Sequence, residues 1–534
     1  MPLEQQEGHM STFSNPVLPG FHPDPSVCRR DGGGYLLVTS SFEYFPGVPL
    51  FTSEDLVTWT PLGHVLDRPE QLDLTGVDSS DGIWAATIRE NDGVYYVVTT
   101  LVRNRKGGGN FVVTATNPAG PWSDPVPLIA DGIDPSLFFD DDGRCWFTAC
   151  RDNQAAGNPG ELWMQELDLE ELQLVGPQYS LWTGALSGAW VEGPHLYKRD
   201  GIYYLIGAEG GTERNHSVTL ASALSITGPY RGSGRNPVLT HRHLGSGFPI
   251  QNVGHADLVD TPLGETWALV LGVRPRQGSH VLGREVFLVP VEWEESGPVF
   301  SPGVGHVREV ERRPLSGTSA HSAADRFVRP EPDRDGWDSP IWSTLRYPRE
   351  TSGVSTDEGC LTMTLLPGDL TGTGPQAALL RRQQHHEFDL RVTLDFEPLE
   401  PHDEAGVVIV QNRSAFATMT LRRPAGAEVV LTVRRRDRGV ETIESSPVPG
   451  GVVELSVQSD GTHYSFRYRL GGSEEFRPAA APIDIRALST ERAGGFTGVH
   501  LGPYATGNGR ASSAIARFTR FSYENGPGAA SRTR

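Results

Sequence analysis

The chain has 534 residues, enough for two large domains or three to four ordinary ones at roughly 150 residues each. It carries 46 Lys and Arg against 66 Asp and Glu, a net charge of −20. That charge repels phosphate backbones and anionic membrane surfaces, so neither nucleic acid nor membrane is an expected partner. Four cysteines, Cys28, Cys145, Cys150 and Cys360, show no Cys-x-x-Cys pair and no zinc spacing. They read as free thiols of a reducing compartment. The first residues lack the basic start and apolar stretch of a secretory signal, and no apolar run approaches the ~20 residues of a membrane helix. The expected location is the cytoplasm.

A repeat occupies the first three hundred residues. A Gly-containing turn leads into an aromatic or apolar strand at Gly33-Gly34-Tyr35, Asp92-Gly93-Val94-Tyr95, Asp142-Gly143-Arg144-Cys145-Trp146, Asp200-Gly201-Ile202-Tyr203 and Gly264-Glu265-Thr266-Trp267. Asp-Gly between apolar runs is a strong hairpin signal. The glycines at 33, 93, 143, 201 and 264 recur every 50 to 63 residues, the length of a four-stranded blade with its loops. Nine residues before each of them stand Asp24, Trp84, Asp134, Glu192 and His255. The innermost strand of a propeller blade lines the central channel, so five side chains at one blade position converge on one pocket. The pattern predicts a five-bladed β-propeller over 13–305. Within it, Glu166–Leu174 fits either a short helix or a strand and turn.

Gly, Ser, Pro and charge then replace the pattern, and a linker is placed at 306–325. From 326 to 525 the chain alternates again. The expected strands are Leu361–Leu366, Phe388–Phe396, Gly406–Gln411, Ala415–Leu421, Val429–Val433, Val452–Val457, Tyr464–Tyr468, Gly494–Leu501 and Ile515–Tyr523, the pattern of a β-sandwich. The polar residues 526–534 read as a disordered tail. The fold class is all-β.

Three of the five converging residues are carboxylic acids. Glycoside hydrolysis needs two, one to protonate the leaving oxygen and one to act across the sugar ring. A third can tune the first. A single Asp-Pro-Ser is a common turn and carries little weight alone. Asp24, Asp134 and Glu192 at equivalent blade positions carry much more.

Specific motifs add to this reading. Asn15-Pro16-Val17-Leu18-Pro19-Gly20-Phe21-His22-Pro23-Asp24-Pro25-Ser26, Ser41-Phe42-Glu43-Tyr44-Phe45-Pro46-Gly47, Gly82-Ile83-Trp84-Ala85, Ile133-Asp134-Pro135-Ser136 and Glu192-Gly193-Pro194-His195 occur in order. Ala208-Glu209-Gly210-Gly211-Thr212, Gly254-His255-Ala256 and Leu282-Gly283-Arg284-Glu285 follow. Together they resemble glycoside hydrolase family 43, in particular its β-xylosidase branch with a C-terminal sandwich, from about Asn15 to Tyr523. The resemblance implies an inverting, exo-acting hydrolase that releases xylose from the non-reducing end of β-1,4-xylo-oligosaccharides. It implies Asp24 as general base, Glu192 as general acid and Asp134 as the residue that tunes Glu192. It also implies Arg284 and His255 as sugar-binding residues, Phe42 and Trp84 as apolar pocket walls, and Phe496 as a sandwich aromatic sent into the pocket. By residue type alone Trp84 and Phe496 suit a core, Arg284 a salt bridge and His255 a hydrogen bond between blades.

Two departures flank the pocket. Ala86 stands where relatives often carry Pro, and Val191 where some carry Thr. An α-L-arabinofuranosidase or a bifunctional enzyme is the nearest alternative, and a non-catalytic carbohydrate-binding protein is the alternative of another class. The expected partner is a small oligosaccharide, with a homo-oligomer left open. No cofactor and no metal ligand set is expected, with a divalent cation such as calcium beside His255 the one alternative implied by relatives.

Overall fold

At the second and fourth repeats the turn puts both central residues in the left-handed region, with φ 51° and 78° at Asp92 and Gly93 and 52° and 77° at Asp200 and Gly201. This is the turn geometry whose twist matches that of the flanking strands, so each repeat closes as a tight antiparallel hairpin. The computed structural model describes residues 11–314 and 336–526, apart from 31, 105, 154–158 and 187–188 and the side chains of 106–108.

Five such hairpins build five antiparallel sheets. Their innermost strands are Ser26–Arg29, Thr87–Asn91, Ile133–Phe139, Val191–Arg199 and Gln251–Asp260. Each sheet continues outward in chain order, as in the third blade through Cys145–Asp152 and Gly160–Asp168 to Gln173–Trp182. The stretch Glu166–Leu174 is therefore the strand-and-turn alternative. Apolar faces of neighbouring blades mesh. Val27, Leu37 and Phe51 of the first blade share a cluster with Trp267, Leu269 and Leu288 of the fifth.

The ring is closed from both chain ends. Thr12–Ser14 pairs antiparallel with Val310–Arg312. The side chain of Asn15 donates to the carbonyls of Leu288 and Arg308 and accepts from the amide of Leu288. Residues 310–312, expected in the linker, are thus a strand. Three residues reading Val-Glu-Arg are too short to show alternation, and it is tertiary pairing that makes them extended. Residues 315–335, which hold the rest of the expected linker and the expected sandwich start at 326, lie outside the described residues. So does the expected tail beyond Gly526.

The second domain is a sandwich of an eight-stranded and a seven-stranded sheet. The first is centred on Glu387–Asp395 and Ile515–Asn525, the second on Glu404–Asn412 and His500–Thr506. Phe388, Leu390 and Phe518 from one sheet and Val407, Ile409 and Leu501 from the other fill a single core. The expected strand Gly494–Leu501 is corrected. A short helix, Thr490–Ala493, precedes a loop over 494–499, and the strand is His500–Thr506. Gly494 and Gly495, at φ 74° and 83°, leave the extended region and turn the chain toward the propeller.

The domains are joined by backbone pairing. Tyr44–Phe45 of the propeller pairs with Thr344–Leu345 of the sandwich. A Cβ on Gly283 would lie 2.9 Å from Cα of Gly498, so the two loops touch through glycine on both sides. Among the described residues no helix is long and apolar enough to cross a membrane.

Candidate active site

The inner strands do not run straight into the channel. Register shifts interrupt them between Ile133 and Ser136, between Glu192 and His195, and between Gln251 and Ala256. Asp24, Asp134 and His255 occupy left-handed backbone at φ 55°, 54° and 47°. Non-glycine residues rarely adopt this conformation, and bulges of this kind re-aim a side chain. In the fourth blade the left-handed residue is Gly193, at φ 57°. A Cβ there would also lie 3.0 Å from the His255 ring, which accounts for glycine after Glu192.

All eight residues expected at the site line one pocket of about 180 Å³. Asp24 is buried, and its carboxylate is held on three sides. Oδ1 accepts from Arg284 Nη1 at 2.7 Å, Oδ2 accepts from Ser40 Oγ at 2.6 Å, and His255 Nδ1 stands 4.0 Å away. Burial alone pushes this carboxyl up, but Arg284, His255 and the Ser40 hydroxyl together outweigh it and hold it below its ordinary value.

The other two acids behave oppositely. Glu192 is half-buried and lines the pocket. Burial first, then the charges of Asp134 and Asp24, push it well above the ordinary carboxylate range, and Arg284 offsets only part of this. Asp134 is also raised, by burial and by Asp24, but it accepts the amide of Gly193 at 3.2 Å. In this coupled pair the hydrogen-bonded Asp134 is the better seat for charge, and Glu192 for the proton.

Aromatic rings form an apolar wall of the same pocket. Phe42, Trp84 and Phe496 meet pairwise, with centroids 6.2, 6.4 and 5.8 Å apart. Arg284 lies over the Phe42 ring at 5.5 Å. Phe42 is placed by mutual backbone bonds with Ile83, and a Cβ on Gly82 would strike the Phe42 carbonyl at 2.2 Å. Phe496 comes from the sandwich loop, so both domains build the pocket.

Several contributors are not singled out by the sequence reading. Ser80, completely buried, accepts the Phe496 amide on Oγ at 2.9 Å and the Trp84 indole on its carbonyl at 3.2 Å. Ser40 holds Asp24. Thr212 ends the motif Ala208–Thr212 and Glu213 follows it, and their loop lines the pocket. The glutamate of that motif, Glu209, is buried and accepts the amides of Ala185 and Leu186. Lone serines in loops carry no sequence signal beyond turn propensity.

Beneath the pocket a second ring takes one residue from each blade. Asp257 accepts from Ser26 Oγ at 2.7 Å and from both terminal nitrogens of Arg89, at 2.8 and 3.1 Å. His195 Nδ1 lies 2.9 Å from both Arg89 and Ser136 Oγ. Burial acts to raise the Asp257 carboxyl, but Arg89 and His195 hold it well below the usual range. This ring plugs the channel floor.

Direct ligation of a hard cation at His255 does not fit. Such ions prefer oxygen ligands, whereas the neighbours here are the His195 ring at 6.3 Å and an Asp24 carboxylate already committed to Arg284 and Ser40. Among the described residues no three His, Cys, Asp or Glu side chains are grouped to hold a metal.

Comparison with known proteins agrees with this geometry. Residues 13–299 match the family described as glycosyl hydrolases family 43, and residues 338–524 match the beta xylosidase C-terminal concanavalin A-like domain. A xylosidase/arabinosidase of Butyrivibrio fibrisolvens is 38% identical, with 96% of this chain and 100% of the relative aligned. A non-reducing end alpha-L-arabinofuranosidase of Bacteroides ovatus is 36% identical over 96% of this chain and 94% of its own length. The crystal structure of a xylan beta-1,4-xylosidase from Bacillus halodurans superposes with a TM-score of 0.89 at 33% identity, covering 96% of this chain and 100% of that one.

Proposed function

The chain belongs to glycosyl hydrolases family 43, and from that premise we propose that it is an inverting, exo-acting β-xylosidase. It releases xylose from the non-reducing end of β-1,4-xylo-oligosaccharides. The observation that carries this reading is the opposed setting of two acids in one pocket, Asp24 bonded to Arg284 and Ser40, which favours its charged form, and Glu192 half-buried beside Asp134, which favours its protonated form. Glu192 gives its proton to the glycosidic oxygen as that bond breaks. Asp24 takes a proton from the water that attacks the anomeric carbon from the other face. Hydrolysis with two such groups and an intervening water inverts the anomeric centre. Asp134 supports the proton on Glu192 through its charge. Arg284 fixes Asp24 and, with His255, offers donors to sugar hydroxyls.

The wall of Phe42, Trp84 and Phe496 supports exo cleavage. It stacks against a terminal sugar and leaves no room for a chain to continue on that side. The substrate partner is a neutral oligosaccharide, in keeping with a pocket in which hydrogen-bonding side chains converge beside aromatic rings suited to a sugar face. The four cysteines, all free, suit a reducing, cytoplasmic setting.

A second reading has a specific basis, since relatives of similar identity carry arabinosidase and arabinofuranosidase names. Parallel kinetics on aryl β-xyloside and aryl α-L-arabinofuranoside separate the two. The expected result is a higher kcat/KM on the xyloside. A reversed ratio makes the arabinofuranosidase reading the correct one, and no turnover of either defeats the catalytic assignment.

A further inference from the structure

Arg382 lies in the short sandwich strand Arg381–Arg382, facing the propeller, and is 7% exposed. Its Nε donates to the Phe21 carbonyl at 2.7 Å. Among the described residues its terminal nitrogens have no hydrogen-bond partner and no carboxylate lies within ion-pairing distance. Three buried histidines surround it instead. Burial, and then the charge of Arg382, hold His22, His64 and His500 below their ordinary value, so all three are neutral near pH 7. His22 Nδ1, His64 Nε2 and His500 Nε2 are buried without a hydrogen-bond partner. Burial pushes Arg382 itself down only to about 10, which leaves it charged. A buried cation without a counter-charge is costly, and so are buried polar atoms without partners.

Beside this cation a cleft of about 160 Å³ opens between the domains. Leu18, Phe51, Trp59 and Ile341 supply apolar walls, and Arg382 and His22 supply the polar end. No acidic residue lines it, and it shares no residue with the catalytic pocket. The other arginine there, Arg381, already stacks on Tyr523 and donates to Gln384.

We propose that this interdomain cleft is a second ligand site, which takes a small organic monocarboxylate with its head on Arg382 and its body against the apolar walls. The two terminal nitrogens of a guanidinium match the two oxygens of a carboxylate. One uncommitted cation suits a singly charged head over a dianion, and the walls exclude a bare inorganic ion as the best fit.

Calorimetric titration of the full-length protein tests this, with butyrate and glucuronate as probes and 1-butanol as the uncharged control. At least one acid is expected to bind with unit stoichiometry, and butanol is not. Tighter glucuronate identifies a sugar acid as the ligand type, and tighter butyrate an aliphatic acid. Arg382→Gln is expected to weaken binding about tenfold or more, the worth of a charged hydrogen-bonded pair. Because that buried change can also impair folding, Ile341→Trp serves as a second variant. It fills the cleft, leaves Arg382 in place, and is expected to abolish binding. Arg284→Gln is expected to leave binding intact. The proposal is overturned if butanol binds as well as the acids or if neither acid binds. It is also overturned if binding survives Ile341→Trp, and loss in Arg284→Gln would then put the acid in the propeller pocket.

Discussion

Phe496 of the sandwich stands edge-on to Trp84 of the propeller, with ring centroids 5.8 Å apart and planes at 85°. Both are tied to Ser80, one through its backbone amide and the other through its indole nitrogen. The sandwich is therefore structurally part of the pocket. Phe496→Ala removes a ring and leaves the sandwich core in place. It is expected to cost on the order of 1–3 kcal/mol in transition-state binding, about 5- to 150-fold in kcat/KM. Melting temperature, measured alongside, separates this from unfolding. Near-normal kcat/KM with a large fall in stability would reduce Phe496 to a packing residue.

Asp134→Asn keeps the shape of the side chain and removes its charge. One of the groups raising the Glu192 carboxyl is then gone. The alkaline limb of the kcat/KM profile, which reports loss of the Glu192 proton, is expected to move to lower pH, with reduced turnover. The acid limb, set by Asp24, is expected to stay below the ordinary carboxylate range near pH 4. An unmoved alkaline limb would make Asp134 a blade residue only.

The raised carboxyl of Glu192 has a signed effect on stability. Its folded-state value lies above its unfolded value, so over the interval between them the native state binds more protons than the unfolded one. Stability therefore falls as pH rises through that interval. Glu192→Gln removes the penalty. The variant is expected to be inactive, to melt near the wild-type temperature at pH 4, and to melt above it at pH 8. Equal melting temperatures at both pH values would mean that Glu192 is not held protonated by the fold.

Asp257→Asn addresses the channel floor. It leaves Arg89 buried without its carboxylate, a change that typically costs about 3–5 kcal/mol. Denaturant unfolding is the measurement. The Asp257 carboxyl is depressed in the fold, so its contribution is present above its unfolded value near pH 4 and fades as pH falls toward its folded value. The difference between variant and wild type is accordingly expected to shrink in acid.

Much of this architecture is legible in the sequence because the blades repeat. A hairpin turn and a polar residue nine positions before it recur five times, and that register places Asp24, Trp84, Asp134, Glu192 and His255 at one end of one channel. Arg284 and Phe496 lie outside the repeat, and only motif resemblance points to them. Ser40 and Ser80 escape notice because their roles depend on contacts with distant residues. The strand Val310–Arg312 escapes for a related reason, since its pairing partner is three hundred residues away at Thr12–Ser14. The loop over 494–499 is taken into the strand because it runs directly into the alternating Val499-His500-Leu501, while the left-handed glycines that bend it are needed by the propeller surface it meets.

The stereochemistry of the product tests the central claim most directly. Purified enzyme turning over xylobiose can be followed by proton NMR, fast enough to precede mutarotation. Direct displacement by water activated at Asp24, with Glu192 as the acid, gives α-xylose first from the non-reducing sugar, and the β-anomer then grows in slowly. β-Xylose appearing first would indicate a covalent intermediate and retention, and would contradict the roles assigned to Asp24 and Glu192.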